Sequence, residues 1–202
     1  MLGGTFNPPH LGHLAIASHA REQLALDRVV LVPARLPPHK PVVEDPGGAR
    51  RLEMCRLLIA GAARLAVSAI ELERDGPSYT VDTLQAIHTS DPEAELTLIV
   101  GADIAATLPS WHESDRLLGL APLAVAGRKG GDRDATLAAV AGIGGDDSRV
   151  RFLDSPVIDV SSSLVRERAA ANAPLEALVG ADVASYIAEH GLYGARAQVS
   201  SR

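Results

Sequence analysis

The stretch Gly3-Gly4-Thr5-Phe6-Asn7-Pro8-Pro9-His10-Leu11-Gly12-His13 carries the first reading of this chain. Two glycines follow a short apolar stub, so backbone N–H groups can approach a phosphate with no Cβ in the way. His10 and His13 stand three apart at the start of a segment of helical period. Both imidazoles then lie on one side of a helix, near the positive end of its dipole, where they can donate to phosphate oxygens. Gly12 between them would let a ligand or another backbone come close. A lone H-x-x-H would read as a turn followed by two incidental histidines, one of them a metal ligand. The whole string is far more specific than that. Only Met1 and Leu2 precede Gly3, whereas a buried strand needs about four or five apolar residues. If residues precede Met1, the expectation is a natural chain a little longer at this end.

Beyond this turn, short apolar runs alternate with longer segments of helical period, the pattern of a parallel α/β sheet. Strands are expected at Arg28–Pro33, Glu95–Val100 and Leu120–Ala126, with weaker ones at Arg64–Ser68 and Val150–Leu153. Helices are expected at Leu11–Leu26, Ala49–Ala63, Thr80–Thr89, Glu113–Leu118, Ala135–Ala141, Ser161–Ala171 and Ala181–His190. Ala34–Gly48 holds four prolines without periodicity and is long for a connection in a compact domain. Gly127–Asp134 and Gly142–Arg149 read as tolerated surface loops. One domain over 1–196 is expected, with 197–202 a disordered tail.

Composition narrows the function classes. The 202 residues carry a net charge of −6 with no run of Lys or Arg, which argues against a nucleic-acid partner. No apolar run reaches the roughly 18 residues of a membrane helix, and the N-terminus lacks the basic and apolar regions of a signal peptide. A single Cys55 excludes a disulfide framework and a Cys-based zinc site. A soluble cytoplasmic protein is expected, and a homo-oligomer is left open. With one Trp, two Phe and three Tyr, each aromatic needs a reason for its place.

A second constellation is Asp159-Val160-Ser161-Ser162-Ser163-Leu164-Val165-Arg166. Three hydroxyls at a helix N-terminus, beside free backbone N–H groups, make a ready anion site. Arg166 lies one turn beyond Ser162 on the same face and can reach the same anion. The plainer alternative is an ordinary Ser N-cap with a surface Arg.

Together the two motifs resemble those of the nucleotidylyltransferase superfamily, an H-x-G-H and a late I-S-S-T-x-x-R, with Val160 for Ile and Ser163 for Thr. The likeness narrows to the bacterial nicotinate-nucleotide adenylyltransferases through Pro37-Pro38-His39-Lys40, Gly76-Pro77-Ser78-Tyr79-Thr80-Val81-Asp82-Thr83-Leu84, Val100-Gly101-Ala102-Asp103 and Leu108-Pro109-Ser110-Trp111-His112-Glu113. The C-terminal Tyr186-Ile187 and Gly191-Leu192-Tyr193 are similar as well. The resemblance runs from Gly3 to Tyr193 and weakens at about 129–149. It implies a Rossmann-like, doubly wound parallel sheet of about five strands, order 3-2-1-4-5, with C-terminal helices. It implies transfer of AMP from ATP to nicotinate mononucleotide, by in-line attack of the mononucleotide phosphate on the α-phosphorus, with pyrophosphate leaving. In this family Gly3, Gly4, Thr5, Phe6, His13, Ser161, Ser162 and Arg166 would hold ATP. His10, His13 and Arg166 would act at the reacting phosphates. Lys40, Thr80, Asp103, Trp111 and His112 would hold the mononucleotide, with Trp111 stacking on the pyridine ring. Mg²⁺ would sit mainly on the phosphates rather than in a protein cage.

Position 7 departs from the family's usual Asp, which removes a charge near the triphosphate turn. His19, His88 and His190 read as surface histidines; Glu71, Tyr79 and Asp82 as structural; Cys55 as packing. The rival activities are adenylyl transfer to nicotinamide mononucleotide or a pantetheine phosphate, or a non-catalytic nucleotide-binding module.

Overall fold

The computed structural model describes residues 1–38, 43–127, 133–154 and 159–195. His39, Lys40 and the expected tail at 197–202 lie outside the described residues. Six strands form one parallel sheet: β1 (Leu2–Gly4), β2 (Val29–Pro33), β3 (Leu65–Val67), β4 (Leu98–Gly101), β5 (Leu123–Gly127) and β6 (Val150–Asp154). Their spatial order is β3-β2-β1-β4-β5-β6. The expected order of five is right as far as it goes, and β6 corrects the count by adding an outer strand beside β5. The helices are α1 (Leu11–Gln23), α2 (Gly48–Leu58), α3 (Thr80–Ser90), α4 (Ala102–Ala105), α5 (Ser114–Leu120), α6 (Arg133–Gly142), α7 (Ser162–Ala170), α8 (Glu176–Val179) and α9 (Ala181–Glu189).

Strand alternation divides the core between the two faces of the sheet. Val29, Leu31, Ile99, Ala124 and Ala126 point to one face, where they pack with Ala17 and Ala20 of α1 and Cys55 of α2. Val32, Leu98, Val100, Leu123 and Val125 point to the other, against Val81 and Leu84 of α3, Leu117 of α5 and Val140 of α6. Small Ala side chains on β5 and α1 let that helix lie close to the sheet, which accounts for part of the chain's Ala content. A third cluster joins Met54 and Leu58 of α2 to Val165 and Ala169 of α7, Val179 of α8 and Val183 and Ile187 of α9.

Several boundaries differ from expectation for local reasons. The helix expected to run to Ala63 ends at Leu58, because Gly61 turns into the left-handed region (φ +78°). The strand expected from Leu120 starts at Leu123, since Leu120 finishes α5 and Pro122 has no N–H for the ladder. The four-residue turns α4 and α8 are too short for periodicity to reveal.

The position of β1 decides where a ligand can bind. It pairs with β2 along its whole length, Leu2↔Leu31, Gly3↔Val32 and Gly4↔Pro33, but with β4 only at Leu2↔Ile99. Beyond that pair the two strands part. The sheet order reverses here, and a crevice opens outside the carboxyl ends of β1 and β4. Arg51 of α2 braces the turn that follows β1. Its side chain is 1 % exposed, with Nε donating to Asp45 Oδ1 at 2.9 Å and an Nη to Thr5 O at 2.7 Å.

Removing the guanidinium leaves the Thr5 carbonyl without its side-chain donor and the Asp45 carboxylate without its cation, with only the Gly47 N–H still bonded to Oδ1. Arg51→Ala is therefore expected to cost about 3 kcal/mol of unfolding free energy in urea denaturation. A change below about 1 kcal/mol would mean the brace is dispensable.

Candidate active site

A cavity of about 630 Å³ fills the crevice, within the range of small-molecule sites. Gly3, Gly4 and Thr5 line it on one side, with His10, Gly12 and His13 of the α1 N-terminus. Gly101 and Asp103 line it at the end of β4, and Thr80 and Trp111 line it farther on. The turn itself is tied down from outside. Besides Arg51 on Thr5 O, Arg166 Nη1 donates to Asn7 O at 2.8 Å and Ser162 Oγ to Pro8 O at 2.8 Å. Phe6, 2 % exposed and at φ +50°, sits beneath the turn, edge-on to His13 with the two ring centroids 4.9 Å apart. A Cβ on Gly4 would come 3.3 Å from that ring.

The two histidines stack, their centroids 3.7 Å apart. The His10 N–H donates to His13 Nδ1 at 3.1 Å, so Nδ1 is an acceptor and the neutral ring carries its proton on Nε2. That leaves Nε2–H as the donor His13 can offer a ligand. Burial lowers the His10 pKa to about 4. Burial and the neighbouring His10 hold His13 well below the usual imidazole range. Both rings are neutral donors near pH 7. Gly12 lines the cavity and also makes room for its neighbours: a Cβ there would meet His10 Nδ1 at 3.0 Å and Val160 at 3.1 Å.

The second motif packs against the outside of the glycine turn. Ser161 is the N-cap of α7, accepting from the Leu164 N–H at 3.1 Å, as the plainer alternative had it. Ser162 and Arg166 hold the turn, and Arg166 also faces Glu44 at 3.5 Å. Neither these three residues nor Phe6 is among those lining the cavity, which α7 reaches only through the preceding Val160.

At the far end, Trp111 is aimed by a residue that sequence reasoning passed over. Its indole N–H donates to Thr107 Oγ1 at 3.0 Å, and that hydroxyl donates to Ile104 O at 2.7 Å. His112 stacks on Tyr79 at 4.1 Å and lines a small side cavity with Trp111 and Thr80. Glu71 lines the main cavity and accepts from Thr83 Oγ1 at 2.8 Å and from Ser78. Burial raises its pKa, against the pull of these hydroxyls and Arg74. Ser78 Oγ in turn accepts from the Arg35 N–H at 2.8 Å, which joins the proline-rich segment to the start of α3. At β4 a Cβ on Gly101 would lie 2.8 Å from Asp103 Oδ1, so glycine is what lets that carboxylate fold back over the strand end.

A profile of the cytidylyltransferase-like family matches residues 1–168. The "Probable nicotinate-nucleotide adenylyltransferase" of Geobacillus kaustophilus is 38 % identical over 202 residues, 100 % of this chain and 88 % of the relative. The protein of the same name from Tropheryma whipplei strain Twist is 40 % identical over 192 residues, 95 % and 97 % of the two chains. This chain belongs to the cytidylyltransferase-like family and, within it, to the nicotinate-nucleotide adenylyltransferases. Among solved structures, Plasmodium falciparum nicotinic acid mononucleotide adenylyltransferase complexed with NaAD superposes with a TM-score of 0.78. It covers 96 % of each chain at 16 % identity, a likeness of fold.

In this adenylyltransferase family member the neutral histidines tie stability to pH. Their folded-state pKa values lie below the unfolded value near 6.5, so the stabilisation is complete above pH 6.5. It is lost as the pH falls toward His10's folded value of about 4. Thermal melts are expected to fall over this window, by roughly 3 kcal/mol for His10 at 1.36 kcal/mol per pKa unit, and His10→Gln should flatten the slope. An unchanged slope in that variant would assign the acid sensitivity elsewhere.

Proposed function

We propose that this protein transfers the AMP moiety of ATP to nicotinate mononucleotide, yielding deamido-NAD and pyrophosphate. The observation that carries this reading is one continuous cavity. It joins a glycine turn with two neutral imidazole donors to the lone Trp at its other end. The first part suits a triphosphate and the second a flat aromatic ring. The names of the curated relatives support the same substrates. In this reading a mononucleotide phosphate oxygen attacks the α-phosphorus of ATP in line. The bond from that phosphorus to the oxygen bridging the β-phosphate breaks, and pyrophosphate leaves with the electron pair. The nucleophile is already an anion, so the work lies in positioning and in stabilising charge on the phosphoryl oxygens. The Gly3–Thr5 turn would receive the phosphates, with His13 Nε2–H and His10 as donors near the reacting centre. Ser162 and Arg166 would act on ATP through the turn they hold, and Ser161 by capping the helix that carries them. Thr80, Asp103, Trp111 and His112 would bind the mononucleotide. Mg²⁺ enters as part of the ATP substrate, carried on its phosphates; among the described residues no three His, Cys, Asp or Glu side chains are grouped to cage an ion. With ATP as co-substrate, the reaction belongs in the cytoplasm.

Pyrophosphate release with Mg·ATP and each candidate mononucleotide tests the reading. Release should be fastest with nicotinate mononucleotide, ahead of nicotinamide mononucleotide and pantetheine phosphate. No release with any of them, despite ATP binding, would sink it. His13→Ala should cut turnover about 100-fold or more while shifting the melting temperature by only a few degrees. Equal losses would make His13 structural. Because Trp111 is the only Trp, its fluorescence reports the site directly: nicotinate mononucleotide should quench it. Trp111→Ala should raise the mononucleotide KM up to about tenfold and leave the ATP KM near its starting value. An unchanged mononucleotide KM would count against stacking.

A further inference from the structure

The family profile ends at residue 168, yet a side chain well beyond it reaches into the substrate turn. Tyr193 lies in the single-turn segment Leu192–Gly194 that follows α9, its ring 8 % exposed in the cluster formed by α2, α7 and α9. Its hydroxyl donates to Asn7 Oδ1 at 2.8 Å. Burial raises the Tyr193 pKa, so the hydroxyl stays a donor throughout the working range. The other half of the Asn7 amide, Nδ2, donates to Val43 O at 2.8 Å. A backbone carbonyl can only accept, so Nδ2 must face Val43 and Oδ1 must face Tyr193. Asn7 is 5 % exposed, and its own carbonyl takes the Arg166 guanidinium. Its side chain therefore has one satisfied arrangement and no water to fall back on. The family's usual Asp could accept from Tyr193 but could not donate to Val43; Asn is the residue that ties both at once. Tyr193 also holds φ +56°, a left-handed conformation that costs a residue with a Cβ and persists where its surroundings impose it.

We propose that Tyr193 is a positioning residue for the ATP phosphates: by clamping Asn7 it sets the Gly3–Thr5 turn from the C-terminal end of the fold. The proposal rests on the adenylyl-transfer reading above for the identity of the anion. It acts through Asn7 and touches no substrate.

The test is Tyr193→Phe, which keeps the ring and removes only the hydroxyl. The ATP dissociation constant by calorimetry and the ATP KM should both rise, about three- to tenfold, the worth of one hydrogen bond. The mononucleotide KM should stay within about twofold, a split that general loosening of the fold would not produce. The double variant Asn7→Ala/Tyr193→Phe should bind ATP no worse than Asn7→Ala alone, because the hydroxyl then has nothing to clamp. If Tyr193→Phe does not fold, Asn7→Ala is read for the same split. Unchanged ATP binding, an equal rise in both KM values, or additive losses in the double variant would overturn the proposal. Failure of the parent reading looks different: the unsubstituted protein would bind ATP and release no pyrophosphate, while the calorimetric comparison would still stand.

Discussion

Three carbonyl oxygens of one turn, those of Thr5, Asn7 and Pro8, each receive a hydrogen bond from a side chain distant in sequence. A segment holding two prolines cannot satisfy itself through a sheet ladder, and buried carbonyls left bare would be costly. The donors come from α2 and α7, so both helices must dock before the turn has a single shape. The apolar cluster joining α2, α7, α8 and α9 supplies that docking. Much of the C-terminal part of the chain thus serves to hold a short loop at the other end of the sequence.

That arrangement also reconciles an anion-binding cavity with an acidic chain. The walls carry glycine backbone and two imidazoles that burial keeps neutral. The guanidiniums of Arg51 and Arg166 stand behind the turn, bonded to its carbonyls. In a low-dielectric setting, the Arg51 bond to Thr5 O polarises that peptide group and strengthens the Phe6 N–H, whereas the Asn7–Pro8 peptide that Arg166 engages has no N–H and gains only the nearby charge. Positive charge is felt at the turn without being displayed on the surface, and the net charge of −6 is no obstacle.

The other end of the cavity is organised by hydroxyls. Ser78, Thr83 and Thr107 each link two segments, and Glu71 accepts from the first two in a buried position. These links orient the start of α3 and the indole of Trp111. Hydrogen bonds between neutral groups are short-ranged and directional, so a geometry set this way is sensitive to small displacements of the surrounding elements.

The parallel α/β class, the glycine turn, the paired histidines and the isolated Trp are all legible along the chain. Each is a local pattern: apolar runs at strand length, Gly and His at fixed offsets, one residue type used once. The sequence offered an N-cap role for Ser161 only as the plainer alternative to an anion site, and that cap, which needs only the next turn of helix, is present. Tertiary structure decided what the same residues face. Arg166 and Ser162 carried anion-binding chemistry in their spacing, but Asn7 and Pro8 lie more than 150 positions away and take both donors. Gly12 read as space for a ligand or another backbone; it lines the cavity, and the side chains of His10 and Val160 crowd the place a Cβ would take. Thr107 carried no pattern, Glu71 read only as structural and Tyr193 only as part of a C-terminal likeness, because the role of each comes from partners brought together by the fold. Spacing along the chain encodes which groups share a strand or a helix face. Which donor meets which acceptor across the fold depends on how the elements dock, and only the folded chain settles that.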